Sequence, residues 1–184
     1  MNKRTAAKVG RNGSEFGFYT ASFFAKGGGV HHLAAQWIVG LLRESNIPFL
    51  ICGGLAAKGY GSKRELNDID LFVPGEYFSS VVQAGQAFVS KTAAHRQEEG
   101  WDLTYVQFKY EGIKVEVGSA NGPRIFDAGR ETWVPLDIDF SRHAMVRLLG
   151  LELPLMLKED LIQYKSALSR PVDVDDIRAI YDGA

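Results

Sequence analysis

The run Asn67-Asp68-Ile69-Asp70-Leu71-Phe72-Val73 constrains this chain more than any other stretch of it. Apolar residues alternate with acids at its start, which is the period of a strand with one buried face. Residues two apart on a strand project to the same side. Asp68 and Asp70 therefore point one way, and Ile69 and Leu71 enter the core. Two carboxylates so close repel each other unless a cation neutralises them. Hard oxygen ligands of this kind suit Mg²⁺, or Mn²⁺ in its place. Taken in isolation, a pair of this sort is better read as two solvated acids at a strand end.

The upstream sequence changes that balance. Phe49-Leu50-Ile51-Cys52 reads as a short buried strand, and Gly53-Gly54 follows it directly. Leu55 to Lys58 reads as a helical turn, and residues 59–67 as a polar loop leading to the acidic strand. A glycine pair between strand and helix lets backbone N–H groups approach an anion closely. A polyphosphate seat would then lie beside a cation seat.

The surrounding chain supplies a scaffold. Leu33, Trp37 and Leu41, with Ala34, Ile38 and Leu42, form one apolar stripe and predict a helix over 30–46. Phe78, Val81, Val82 and Phe88 predict a helix over 77–92. Leu103 to Tyr110 and Ile113 to Val117 flank Glu111-Gly112 and predict a hairpin. Its returning strand puts Lys114, Glu116 and Gly118 on one face and Val115 and Val117 on the other. Residues 119–131 read as a loop, and 133–153 as short strands turning at Gly150. Two helices close the chain, over 158–168 and 173–181. This order predicts an α/β (α+β) fold, a small mixed sheet flanked by helices with a C-terminal helical segment.

Residues 30–184 suffice for one domain. Residues 1–29, with Lys3, Arg4, Lys8, Arg11 and a closing glycine run, read as a mobile N-terminal arm. Lys and Arg number 21 against 22 Asp and Glu, which argues against a nucleic-acid coat protein. Cys52 is alone, so no intramolecular disulfide forms. The apolar run from Phe49 to Ala57 falls short of the about 20 residues that span a bilayer. No apolar block follows the basic start, so a cytoplasmic protein without a membrane partner is expected. The histidines (His31, His32, His95 and His143) lack zinc spacing, and Gly-Lys-Ser/Thr of a Walker A loop is missing.

Gly53-Gly54 with Asp68 and Asp70 resembles the nucleotidyltransferase fold of the DNA polymerase β superfamily. That resemblance implies a third carboxylate on a later strand, best matched by Glu116. Many members have Asp there. Glu111 and Asp102 are poorer matches, and Asp137 with Asp139 form a second pair without a glycine seat. Lys63-Arg64 resembles the basic residues that precede the acidic strand in small bacterial members. The tail from Leu157 to Ile180 resembles that of small bacterial nucleotidyltransferases, including abortive-infection toxins, with Lys165, Arg170, Asp173 and Asp176 in matching positions. The resemblance implies that Asp68, Asp70 and Glu116 are catalytic and bind metal. It further implies that Gly53, Gly54, Lys63, Arg64 and Lys165 bind the nucleotide, and that Asp176 lies on the acceptor side. Asp173 reads equally as a helix cap paired with Arg170.

The activity implied is transfer of a nucleoside monophosphate from a nucleoside triphosphate to a hydroxyl, with Mg²⁺ and pyrophosphate release. The acceptor stays open: tRNA or protein for a toxin-like enzyme with an antitoxin-like partner, an aminoglycoside or lincosamide for a resistance-like one. Two other classes are weighed: a catalytically silent nucleotide-binding module, against which the intact carboxylates argue, and a D-x-D glycosyltransferase, disfavoured by length and by the Gly-Gly spacing.

Overall fold

The computed structural model describes residues 29–183. The expected arm over residues 1–29 lies, apart from Gly29, outside them.

Helix α1 (Val30–Glu44) buries Ala34, Ala35, Ile38, Val39 and Leu42. The stripe is rotated from the sequence expectation: Leu33 is exposed, and Trp37 sits at the core's edge. Trp37 stacks on Tyr110, with ring centroids 5.0 Å apart, and meets Phe88 and Phe108 edge-on. Strand β1 (Leu50–Ile51) leads into the short helix α2 (Gly53–Gly59), and β2 (Asp68–Val73) follows the polar loop.

Helix α3 (Gly75–Ala84) is shorter than expected. Gly85 caps it, one 3₁₀ turn follows, and the chain becomes strand β3 (Val89–Glu98). The helix expected over 77–92 is thus corrected in its last turns. β3 has no continuous buried face, and its backbone is held by antiparallel pairing with β4 (Trp101–Tyr110). The hairpin of β4 and β5 (Ile113–Ser119) forms as expected. The loop expected over 119–131 contains a further strand, β6 (Arg124–Asp127), pinned by buried Ile125. Strands β7 (Thr132–Pro135), β8 (His143–Leu148) and β9 (Leu151–Met156) follow, then helices α4 (Lys158–Leu168) and α5 (Pro171–Asp182).

All nine strands join one mixed sheet, ordered β7-β6-β4-β5-β2-β1-β9-β8, with β3 also on β4. β2 runs antiparallel to β1 and parallel to β5. One face of this central triad is core: Ile69, Leu71, Val115 and Val117 are almost fully buried. The other face is left for polar residues. No helix among the described residues is long and apolar enough to cross a membrane.

Candidate active site

The parallel register of β2 on β5 sets Asp68 opposite Lys114 and Asp70 opposite Glu116. Directly opposed residues have Cβ atoms about 5 Å apart. The next strand sets Gln107 opposite Glu116. The Gln107 side-chain amide donates to Glu116 Oε1 at 2.7 Å, which ties that carboxylate to the hairpin. A row of Asp70, Glu116 and Gln107 thus crosses three strands.

This row opens on a cavity of about 420 Å³. Asp68, Asp70 and Glu116 all line it, with Gly53, Gly54, Arg64, Lys165 and Arg170. Its far wall comes from β3 and β4, through Lys91, Glu98, Trp101, Leu103 and Tyr105. On that wall the Lys91 ammonium and the Tyr105 hydroxyl both hydrogen-bond Glu98 Oε1.

Each glycine of the pair makes room for one particular side chain. Gly53 has φ +59°, and a Cβ there would collide with the Asp70 carboxylate. A Cβ on Gly54 would lie 2.5 Å from Arg64 Nη2. The Gly53 N–H donates to the Tyr164 hydroxyl at 2.9 Å, so this donor serves the fold. The sequence reading of both glycine N–H groups as an anion seat is corrected at that position.

Asp70 is the group under electrostatic pressure. Burial, then the negative charges of Asp68 and Glu116, push its pKa up to about 7, against the opposing pull of Lys165 and Arg170. Burial, followed by the Asp70 charge, also raises the neighbouring Cys52 thiol well above its ordinary value. Unneutralised negative charge of this kind, presented as carboxylate oxygens, fits a hard divalent cation. Among the described residues, no three His, Cys, Asp or Glu side chains form a ready-made metal cluster.

The cationic side is built from α4, α5 and the loop before β2. Lys165 is 2% exposed and lies 2.9 Å from Asp173 Oδ1 and 3.0 Å from Asp176 Oδ2, both aspartates being fully buried. Arg64 grips Asp176 through Nε at 2.8 Å and Nη2 at 3.1 Å. Arg170 grips Asp173 through Nε at 2.7 Å and Nη2 at 3.2 Å. Burial alone would raise Asp176, but hydrogen bonds from Arg64, Lys165 and Ser62 outweigh it and hold its pKa below the usual range.

The candidates thus divide. Asp68, Asp70, Glu116, Gly53, Gly54, Arg64 and Lys165 come together at one cavity. Lys63 is exposed and does not line it, whereas its neighbour Arg64 does. Asp176 lies beneath Arg64, buried with both oxygens engaged, and does not line the cavity. Asp102 pairs with Arg124 and His95. Asp137 and Asp139 line a separate cavity of about 880 Å³ behind Tyr164. Sequence reasoning missed Gln107, Lys114, Trp101 and Tyr164. For Lys114 the signal was present, since it shares a strand face with Glu116. For Tyr164 none was, because its partner is 111 residues away.

Known structures share this chain trace. A Thermotoga maritima protein described as a nucleotidyltransferase matches with TM-score 0.63 at 21% identity, over 84% of this chain and 94% of that one. The lincomycin-bound lincosamide antibiotic adenylyltransferase LnuA matches at 0.57 and 13% identity, over 84% and 97%. ANT(2'')-Ia in complex with adenylyl-2''-tobramycin matches at 0.56 and 15% identity, over 84% and 89%. No protein-family model matches the chain, and no curated protein does. The agreement in trace extends over most of each partner, and it shows that this chain has the nucleotidyltransferase fold.

Proposed function

We propose that this protein transfers a nucleoside monophosphate from a nucleoside triphosphate to a hydroxyl acceptor, releasing pyrophosphate. One observation carries the reading: three carboxylates on neighbouring strands share a cavity with Arg64, Arg170 and Lys165. Such a cavity separates a cation-seeking wall from an anion-seeking one, as charge neutralisation during phosphoryl chemistry requires. Asp68 and Asp70, with Glu116 as the third carboxylate, would hold Mg²⁺, which when bound supplies charge neutralisation and a lowered pKa for a hydroxyl. Arg64 and Arg170 would take the polyphosphate, with Lys165 fixed between their partners. The Gln107 amide ties Glu116 Oε1 to the hairpin, which limits the reorganisation this carboxylate would need. Gly53 leaves the Asp70 carboxylate its place, and the Tyr164 hydroxyl fixes that turn.

A small-molecule acceptor is favoured over tRNA or protein. Two of the neighbours are described with such molecules, lincomycin and an adenylylated tobramycin. The β3–β4 wall also confines the space beside the carboxylates. No toxin is among the neighbours described above, so a toxin role and an antitoxin-like partner gain no support from them.

The test is label transfer from α-³²P nucleoside triphosphates to pools of small hydroxyl compounds, RNA and protein, with pyrophosphate release followed in parallel. Transfer by the wild type and its loss in Asp70→Asn are expected. Equal transfer by Asp70→Asn overturns the assignment of the carboxylates. Nucleotide binding without turnover on any pool supports the silent-module alternative.

A further inference from the structure

We infer that Asp173 and Asp176 are positioning residues that hold Arg170 and Arg64 at the cavity as a preformed polyanion clamp. Lys165 is the buried counter-charge that lets the two carboxylates lie side by side. The inference rests on the reading of the cavity as a polyphosphate site, and it deepens that reading.

The four carboxylate oxygens are all engaged. Asp176 Oδ1 accepts from Arg64 Nε and from Ser62 Oγ, each at 2.8 Å. Its Oδ2 accepts from Arg64 Nη2 at 3.1 Å and faces Lys165 Nζ at 3.0 Å. Asp173 Oδ2 accepts from Arg170 Nε at 2.7 Å, and Oδ1 from Lys165 Nζ at 2.9 Å and Arg170 Nη2 at 3.2 Å. Neither aspartate is exposed, whereas the arginine side chains are 26% and 33% exposed and line the cavity. Both arginines spend the same Nε–Nη2 edge on their aspartate. That fork fixes each guanidinium plane; Arg170 keeps its Nη1 for another ligand, and Arg64 Nη1, which gives one hydrogen to the Glu65 carbonyl oxygen at 3.2 Å, keeps its second.

Arg64 is secured at three points. Lys58 Nζ donates to its carbonyl oxygen at 2.5 Å, Asp176 holds its tip, and its Nη1 donates to the Glu65 carbonyl oxygen at 3.2 Å, while the bare face of Gly54 leaves room for the guanidinium. A long side chain with roughly 2 kcal/mol of rotamer entropy is thus ordered before any anion arrives. Three cations (Arg64, Lys165, Arg170) face two carboxylates, which leaves one net positive charge beside the cavity.

Charge arithmetic and positioning make opposite predictions. Removing the Asp176 charge makes the wall more positive, which alone would tighten anion binding. Losing the fork frees Arg64 and weakens binding. Titration calorimetry of the full chain with inorganic pyrophosphate, and separately with tripolyphosphate, distinguishes them. We expect Asp176→Asn and Arg64→Lys each to weaken pyrophosphate binding by about tenfold or more. The double variant should be no worse than the weaker single, since Asp176 acts through Arg64. Asp176→Glu should restore part of the affinity. In turnover, KM for the nucleotide should rise more than kcat falls.

Pyrophosphate binding by folded Asp176→Asn at or above wild-type affinity overturns the inference, as does full additivity in the double variant. If Asp176→Asn fails to fold by circular dichroism, Arg64→Lys and Gly54→Ala decide. Unchanged affinity in both overturns the clamp. A wild type that binds neither polyphosphate defeats the polyphosphate reading itself. A wild type that binds, with variants that match it, defeats the clamp alone.

Discussion

Asp70 shows how one side chain can cost stability where the function needs it. An unfolded Asp titrates near about 3.9, and in the fold this one is pushed up to about 7. Between those values the folded chain holds a proton that the unfolded chain has released. Its favourable contribution is therefore present at low pH and lost as pH rises through about 7. Asp70→Asn should abolish transfer and yet stabilise the metal-free protein at pH 8, by roughly 1–3 kcal/mol. Thermal melts in chelator check this: a gain at pH 8 that vanishes near pH 4 is the expected pattern. An unchanged melting temperature at pH 8 contradicts the electrostatic account. Gly53→Ala should lose at least about 1 kcal/mol for its left-handed backbone and more for the collision with Asp70. Urea unfolding measures it. The paired acids and paired glycines could be read in the sequence because each pair is local. The choice between Lys63 and Arg64 could not, since it depends on which neighbour finds Asp176.

Between α4 and α5 runs a buried ionic link. Lys165 of one helix bridges Asp173 and Asp176 of the other, all three away from water. Removing one partner of a buried ion pair leaves unpaired charge, at about 3–5 kcal/mol. Lys165→Met should thus lower the denaturant midpoint strongly, while Arg178→Ala on the same helix, with 70% exposed partners at 4.0 Å, should change it little. Similar losses from both would argue against the ionic link. The amphipathic α4 was readable from its spacing, as was the hairpin from Glu111-Gly112 between apolar runs. β3 was not. Its residues Ser90 to Glu98 are mostly exposed, and only backbone pairing to β4 makes them a strand. The exposed Leu33 has a similar cause: helical period gives an apolar face but not its rotation against the sheet.

Across the molecule, two opposed titrations shape how stability varies with pH. Asp176 is held low by its cations, so its contribution is present above about pH 4 and lost as pH falls further. Asp70 acts from the other side. Without divalent cation, the melting temperature should peak near about pH 4, fall as pH rises to about 7 and level off above it. Mg²⁺ should raise it at pH 8 and have little effect at pH 5, where the proton competes. Differential scanning fluorimetry over a pH and Mg²⁺ grid tests both arms, and a stabilisation by Mg²⁺ independent of pH would count against Asp70 as a ligand. The ties that complete the cavity span the chain: Arg64 and Asp176 are 112 positions apart, and Gly53 and Tyr164 are 111 apart. A ribosome working at 5–20 residues per second delivers the acidic strand several seconds before the helix that orders its arginine. During that interval the nascent chain carries Arg64 without its carboxylate partner, so the fixed pose of that side chain can form only once position 176 has emerged and docked.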